Sequence, residues 1–322
     1  MDDGPPLAAL AAGRSDRFGS TARGLSAPLL MLGAALLFSL MAVCVKWASA
    51  SYNAGELVFY RSLLGALIIA ALARLRGTTL RSNVTAMHFW RSASGVASLT
   101  LWIYAIGGLP IATAMTLNYM SSVWMALFLL GGSLLLGAVR VDGRLVATVL
   151  SGFAGVALVL RPTIEQQQLW HGLAGLLSGL IAAMSYLQVT ALGRAGEPEV
   201  RIVFYFSLGG LLMGAAWMAL QGAHAHTARG AALLLAIGLL ATTAQVMMTR
   251  AYRIGRTLSN ASLQYLGIVF AFVFGVLLFD DPVTLTALAG MALIVVAGLA
   301  ATLLRSQRQP GVADTRSPPH EI

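Results

Sequence analysis

Charged residues are scarce in this chain. They occupy 10 % of its 322 positions, and 58 % are hydrophobic; a soluble domain is about 25 % charged. None of the 12 acids stands deep inside a long apolar run, although Glu56 and Glu199 mark the starts of two. A pump that trades protons for cations needs a carboxylate within the membrane, because a buried acid both titrates and pairs with the cargo. That mechanism is therefore disfavoured. Cys44 is the single cysteine, which excludes an intrachain disulfide. No clustered Asp motif, His-Glu metal pair or nucleophile elbow is present, and His224 and His226 have no third metal ligand nearby. Neither an enzyme, a metal site nor a cofactor is expected. Residues 1–26 lack the basic-then-apolar order of a signal peptide and read as a cytosolic tail, like 305–322.

What the chain has in abundance is long apolar runs. A helix needs roughly 20 apolar residues to cross a bilayer. Ten runs meet that need: 27–47, 55–75, 86–106, 111–137 and 144–160, then 169–192, 199–220, 230–252, 257–279 and 283–304. They are continuous and rich in Leu, Ala and Gly rather than alternating, so helices are expected and not barrel strands. The net charge of +9 would suggest nucleic acid for a soluble protein, but nothing here resembles such a site. The charge has a topological reading instead. Of 21 basic residues, 16 fall on one side if both termini are cytoplasmic, while Lys46, Arg161 and Arg229 fall outside and Arg61 and Arg91 within helices. The chain thus reads as a multi-pass protein of a bacterial inner membrane, in contact with lipid.

The runs also repeat. Leu117-Asn118-Tyr119-Met120 is echoed 146 positions later by Leu263-Gln264-Tyr265-Leu266, and Val58-Phe59-Tyr60-Arg61-Ser62-Leu63-Leu64-Gly65 is echoed 145 later by Val203 to Gly210. A common offset points to a duplicated unit, here residues 27–161 and 169–304. Five spans per unit put the two copies in the membrane with opposite orientation. Equivalent turns change charge accordingly: Gly107-Gly108-Leu109-Pro110 is uncharged, while Arg253-Ile254-Gly255-Arg256 is basic. The expected fold is an all-α integral membrane protein of ten transmembrane helices in two inverted five-helix repeats, an arrangement that places a binding site near the midplane.

Four features together resemble the drug/metabolite transporter superfamily, in its ten-helix branch built of two EamA domains. They are the five-plus-five duplication, Phe59-Tyr60-Arg61-Ser62 in the second helix, the turn Leu109-Pro110-Ile111-Ala112-Thr113-Ala114, and the Gly290 to Gly298 spacing. The resemblance covers about Ala27 to Leu304. It implies a central cavity with the fifth and tenth helices peripheral, and it tolerates both monomers and homodimers. In one respect the chain departs: Asp280 and Asp281 follow the ninth helix, but Gly137-Ala138-Val139 stands where an acid would follow the fourth.

Candidate substrate-binding residues follow from polar groups placed where lipid-facing ones would be cheaper. Arg61 lies six residues into its run, about 9 Å deep at 1.5 Å per residue. It offers a donor fork for a carboxylate or phosphate, or else pairs with carbonyls or Glu56. Asn118 and Gln264 are repeat-related amides, flanked by Tyr119, Ser122 and Tyr265, and serve either substrate or interhelical hydrogen bonds. Gln188 and Gln245 are further candidates, and Trp102 and Trp124 could stack on a planar substrate. Arg91, with His88 and Trp90, reads as an interfacial anchor, as does Lys46 beside Trp47. The expected function is secondary transport, in the export direction, of small polar metabolites such as amino acids, their derivatives or organic acids. Carriage of riboflavin, S-adenosylmethionine or a lipid-linked group is the alternative.

Overall fold

The computed structural model describes residues 26–135, 168–255, 260 and 263–306, with isolated helical positions between 147 and 158. The described residues form α-helices and no strand: α1 Ala27–Ala48, α2 Ala54–Leu75, α3 Thr85–Gly108, α4 Ile111–Tyr119, α5 Ser121–Leu135, α6 Leu169–Arg194, α7 Glu199–Gln221, α8 Ala228–Ile254, α9 Leu266–Phe279 and α10 Leu285–Ser306. Five of them, α1, α2, α6, α7 and α8, are long and apolar enough to cross a membrane. The fifth expected span, 144–160, and the start of the ninth lie largely outside the described residues. Helix starts follow capping chemistry. Asn53 and Glu56 form a reciprocal capping box on α2, and the Thr227 hydroxyl accepts from Gly230 N–H to open α8.

The fourth expected span departs from the continuous helix that its composition suggests. It breaks at Met120, into α4 and α5. A break also precedes α9, where Gln264 and Tyr265 form a turn tied by Gly267 N–H to Gln264 C=O at 2.8 Å. Both echoed amide–tyrosine pairs therefore sit at helix interruptions.

Lipid provides no hydrophobic drive between helices, so close approach through small residues holds them together. α1 packs on α8, α3 on α6, and α2 on α7, with α4 against both α6 and α9. The echoed segments of α2 and α7 meet each other. A Cβ on Gly210 would strike Ser62 Oγ, and one on Gly65 would lie 2.8 Å from Ser207 Oγ. Large side chains such as Leu67, Leu212, Leu235 and Leu239 point outward, where hydrocarbon solvates them.

Polar latches tie the bundle at both ends. At the start of α2, Glu56 accepts from His224 backbone N–H and from His224 Nδ1, both at 2.7 Å. Beside it, His226 bridges Tyr60 and Tyr52 hydroxyls at 2.7 and 3.2 Å. At the opposite end Glu197, in the turn before α7, takes Arg201 at 2.9 Å, Ser82 at 2.9 Å and His88 Nε2 at 3.1 Å. Arg253 pairs with Glu199 at 2.9 Å. Burial alone would raise the Glu197 carboxyl, but its donors outweigh burial and hold it below the ordinary carboxylate range. A lowered folded pKa gives stability that is present above the unfolded value, about 4.3, and is lost as pH falls through the folded one. Glu197→Gln is therefore expected to destabilise the protein by about 1–3 kcal/mol at neutral pH. The difference in melting temperature from the parent should vanish in acid. A gap that persists below both pKa values would assign the effect to packing.

Candidate functional site

Between these latches lies a buried cavity of about 70 Å³, room for roughly five waters at 10–15 Å³ each. Seven of the described helices supply its walls, α1 through Phe38. Arg61 comes from α2, Arg91 and Trp102 from α3, Asn118 and Tyr119 from the end of α4, Tyr186 from α6, Phe206 from α7 and Gln245 from α8; Gln264 enters from the turn before α9. Helical periodicity explains the contribution of α3. His88, Arg91, Gly95, Ser98 and Trp102 recur at spacings of three and four, so they share one inward face, while Phe89 and Trp90 point out.

The two arginines dominate the electrostatics. Arg61 is 4 % exposed and Arg91 2 %. Their guanidinium carbons lie 5.4 and 4.5 Å from the centroid of the Phe206 ring, within reach of cation–π attraction. Arg61 Nη2 donates to Gln245 Oε1 at 3.3 Å. The described buried acids, Glu56, Glu197 and Glu199, are engaged at the two ends of the bundle and do not line the cavity. Arg61 Nε, Arg91 Nε and Nη1, and Gln245 Nε2 have no hydrogen-bond partner among the described residues. One lining acceptor, Gln264 Oε1, is likewise without a partner, but the unpaired donors outnumber it, and burying such donors unpaired is costly.

Of the candidates read from sequence, Arg61, Asn118, Tyr119, Gln264, Gln245 and Trp102 line this cavity. Asn118 Nδ2 donates to Ser178 Oγ at 2.9 Å. Ser122, Tyr265, Gln188 and Trp124 do not line it. Ser122 and Tyr265 are buried elsewhere in the core, Gln188 accepts from Ser94 at 2.9 Å, and Trp124 packs with Met125 and Ala183.

Three readings change. Arg91 is a cavity residue rather than an interfacial anchor, because its helix turns it inward while Trp90 faces out. Glu56 is occupied by Asn53 and His224, so it is not the partner of Arg61. Lys46 donates to Leu109 C=O at 2.6 Å, tying α1 to the turn before α4. Phe206 stands 145 positions after Arg61, at the matching place of the echoed segment, and in the fold its ring packs against the Arg61 guanidinium itself.

Known proteins resemble this chain in sequence and, in one solved structure, in fold. Residues 25–161 match the EamA-like transporter family. The chain is 33 % identical over 275 residues to the pseudopaline exporter CntI of Pseudomonas aeruginosa, covering 85 % of this chain and 95 % of that one. It is 26 % identical to an uncharacterized transporter of Helicobacter pylori, over 84 % of this chain and 92 % of that protein. Identity to a riboflavin transporter of Brucella anthropi is 24 %, over 84 % and 95 %. One crystal structure superposes with a TM-score of 0.65 at 19 % identity, covering 88 % of this chain and 99 % of its own, a likeness of fold. With its apolar helices and a transporter relative 33 % identical over 85 % of its length, the chain belongs to the EamA-like transporter family of the drug/metabolite transporter superfamily, as a multi-pass membrane protein.

Proposed function

We propose that the protein is a secondary transporter that exports small polar metabolites carrying an anionic group, by alternating access. Amino acids, their derivatives and organic acids are the substrate class. The observation that carries this is the pair of buried guanidiniums, with unpaired donors around them, in a central cavity lined by seven helices. A cavity of about 70 Å³ is smaller than the 300–1,000 Å³ typical of ligand pockets, so the helices must part to admit cargo.

The packing supports two inverted repeats, 27–161 and 169–304. A two-fold relation requires that if Ser62 meets Gly210, then Ser207 meets Gly65, and both contacts occur. Likewise α1 on α8 is matched by α3 on α6. Helix interruptions beside Asn118 and Gln264 resemble the discontinuous helices that form midplane sites in such carriers. The arginine distribution supports an inner-membrane location with both termini cytoplasmic, residues 1–26 and 305–322 being tails. Monomer and homodimer both fit this reading.

Aromatic walls at Trp102, Tyr119, Tyr186 and Phe206 also suit a planar cargo, which the riboflavin-transporting relative favours as a second reading. A lipid-linked cargo would need a cavity open sideways to lipid, which the burial of Arg61 and Arg91 disfavours.

Counterflow in proteoliposomes, screened with amino acids, organic acids, nucleosides and riboflavin, tests the function. Saturable exchange of a carboxylate is expected; exchange confined to riboflavin would move the reading to the aromatic walls. In cells, a cysteine replacing His224 should be labelled by an impermeant reagent from outside, and labelling only after lysis would reverse the topology.

A further inference from the structure

Two observations on the same cavity point beyond a single anionic group. The first is the number of uncompensated charges: Arg61 and Arg91 both enter, and no carboxylate among the described residues lines the walls. Because both guanidinium carbons lie close to one Phe206 ring, they are within about 10 Å of each other, near enough that each raises the cost of charging the other. One carboxylate would leave one of these cations unmatched. The second observation is a cradle built for Arg91. A Cβ on Gly95 would collide with Arg91 Nη1 and would lie 2.9 Å from both Phe206 Cε2 and Ser185 Oγ. The absent side chain at 95 leaves the space that the Arg91 head group occupies. Ser185 Oγ also has no hydrogen-bond partner among the described residues.

We propose that the cargo carries two separated anionic groups, one held by Arg61 with Gln245 and the other by Arg91 beside Ser185, with its apolar middle over Phe206. A dicarboxylic acid, or an amino-acid derivative with a second carboxylate, has this chemistry. The inference rests on the anion-carrier reading and adds the second charge to it. Each end presents acceptor-only oxygens to a donor fork, the pairing that guanidinium geometry favours.

The test is the thermal stability of purified protein at constant ionic strength, which holds screening fixed. The probes are glutarate, butyrate and inorganic phosphate at equal concentration. A ligand that binds only the folded protein raises the melting temperature by mass action. Glutarate is expected to raise it more than butyrate or phosphate does. Arg91→Gln should reduce the glutarate shift to the butyrate level, and Gly95→Ala, which keeps the arginine but fills its cradle, should do the same. Equal shifts from glutarate and butyrate in the parent protein would overturn the two-anion inference and leave the anion carrier standing. A phosphate shift as large as that of glutarate would also overturn it, in favour of a single anionic centre. No shift from any of the three, with a shift from riboflavin, would overturn both. If either variant fails to fold, the comparison of probes on the parent protein still decides.

Discussion

Arg61→Ala is expected to lower transport by on the order of 100-fold while leaving the protein at least as stable as the parent. The expectation of stability comes from what surrounds the side chain. Its guanidinium is buried with one 3.3 Å hydrogen bond and a ring face as company. A cation–π contact gives about 0.5–2 kcal/mol, whereas removing an ion from water costs several kcal/mol even after relaxation. Such a group strains the empty protein and is relieved by an anion. The transport loss follows from the same chemistry. A charge-assisted hydrogen bond contributes about 1.5–3 kcal/mol, so a two-pronged contact contributes at least about 3 kcal/mol, and each 1.4 kcal/mol is tenfold. Melting curves and counterflow on one preparation check both halves. Unchanged transport would remove Arg61 from the site. Lost transport with a melting temperature several degrees lower would make it a clamp on neighbouring helices.

The neutral amides should respond more weakly. Asn118→Ala and Gln264→Ala each delete an uncharged partner, for which about 1 kcal/mol is typical, so a loss of roughly fivefold to tenfold in transport is expected from each. Normal transport in both would return them to interhelical hydrogen bonding, for which Asn118 already has a partner in Ser178.

Much of the architecture was legible because membrane solvation constrains composition so strongly. The start of α2 at Ala54, the end of α7 at Gln221 and the whole of α1 lie within two residues of the apolar runs that foretold them. Arg61, Asn118 and Gln264 stood out for a related reason: a polar group inside such a run needs a partner. Direction was harder to read. Helices apolar on all sides have no sharp inward face, so nothing in residues 88–91 taken alone said that Arg91 turns in while Trp90 turns out. The stripe from His88 to Trp102 at spacings of three and four carried that information. It is recognisable only when small residues such as Gly95 and Ser98 are counted with the polar ones. The break at Met120 had no signal at all, since neither proline nor glycine stands there. The engagement of Glu56 by His224 was equally hidden, because it joins residues 168 positions apart.

Gly179 joins the packing to the site, because it lies against the backbone that carries Asn118. A Cβ there would lie 2.5 Å from Leu117 O and 2.9 Å from Asn118 O, at the last turn of α4. The obstacle is backbone and cannot rotate away. In an unencumbered helix, glycine to alanine gains about 1 kcal/mol; at 179 the sign should invert, with a cost of about 1–3 kcal/mol from overpacking. Gly107 in α3 supplies the control, because its Cβ would meet Ser49 Oγ at an ordinary 3.6 Å, so Gly107→Ala should be neutral or stabilising. Transport should fall in Gly179→Ala as well, because pushing α4 off α6 displaces Asn118 from Ser178 and from the cavity wall. Misplacing a substrate contact by about 1 Å is enough to lose on the order of 100-fold in function. If Gly179→Ala melts above the parent and transports normally, the close approach of α4 to α6 is not what positions Asn118. If it melts lower yet transports normally, the contact holds the helices together but the cargo does not depend on Asn118.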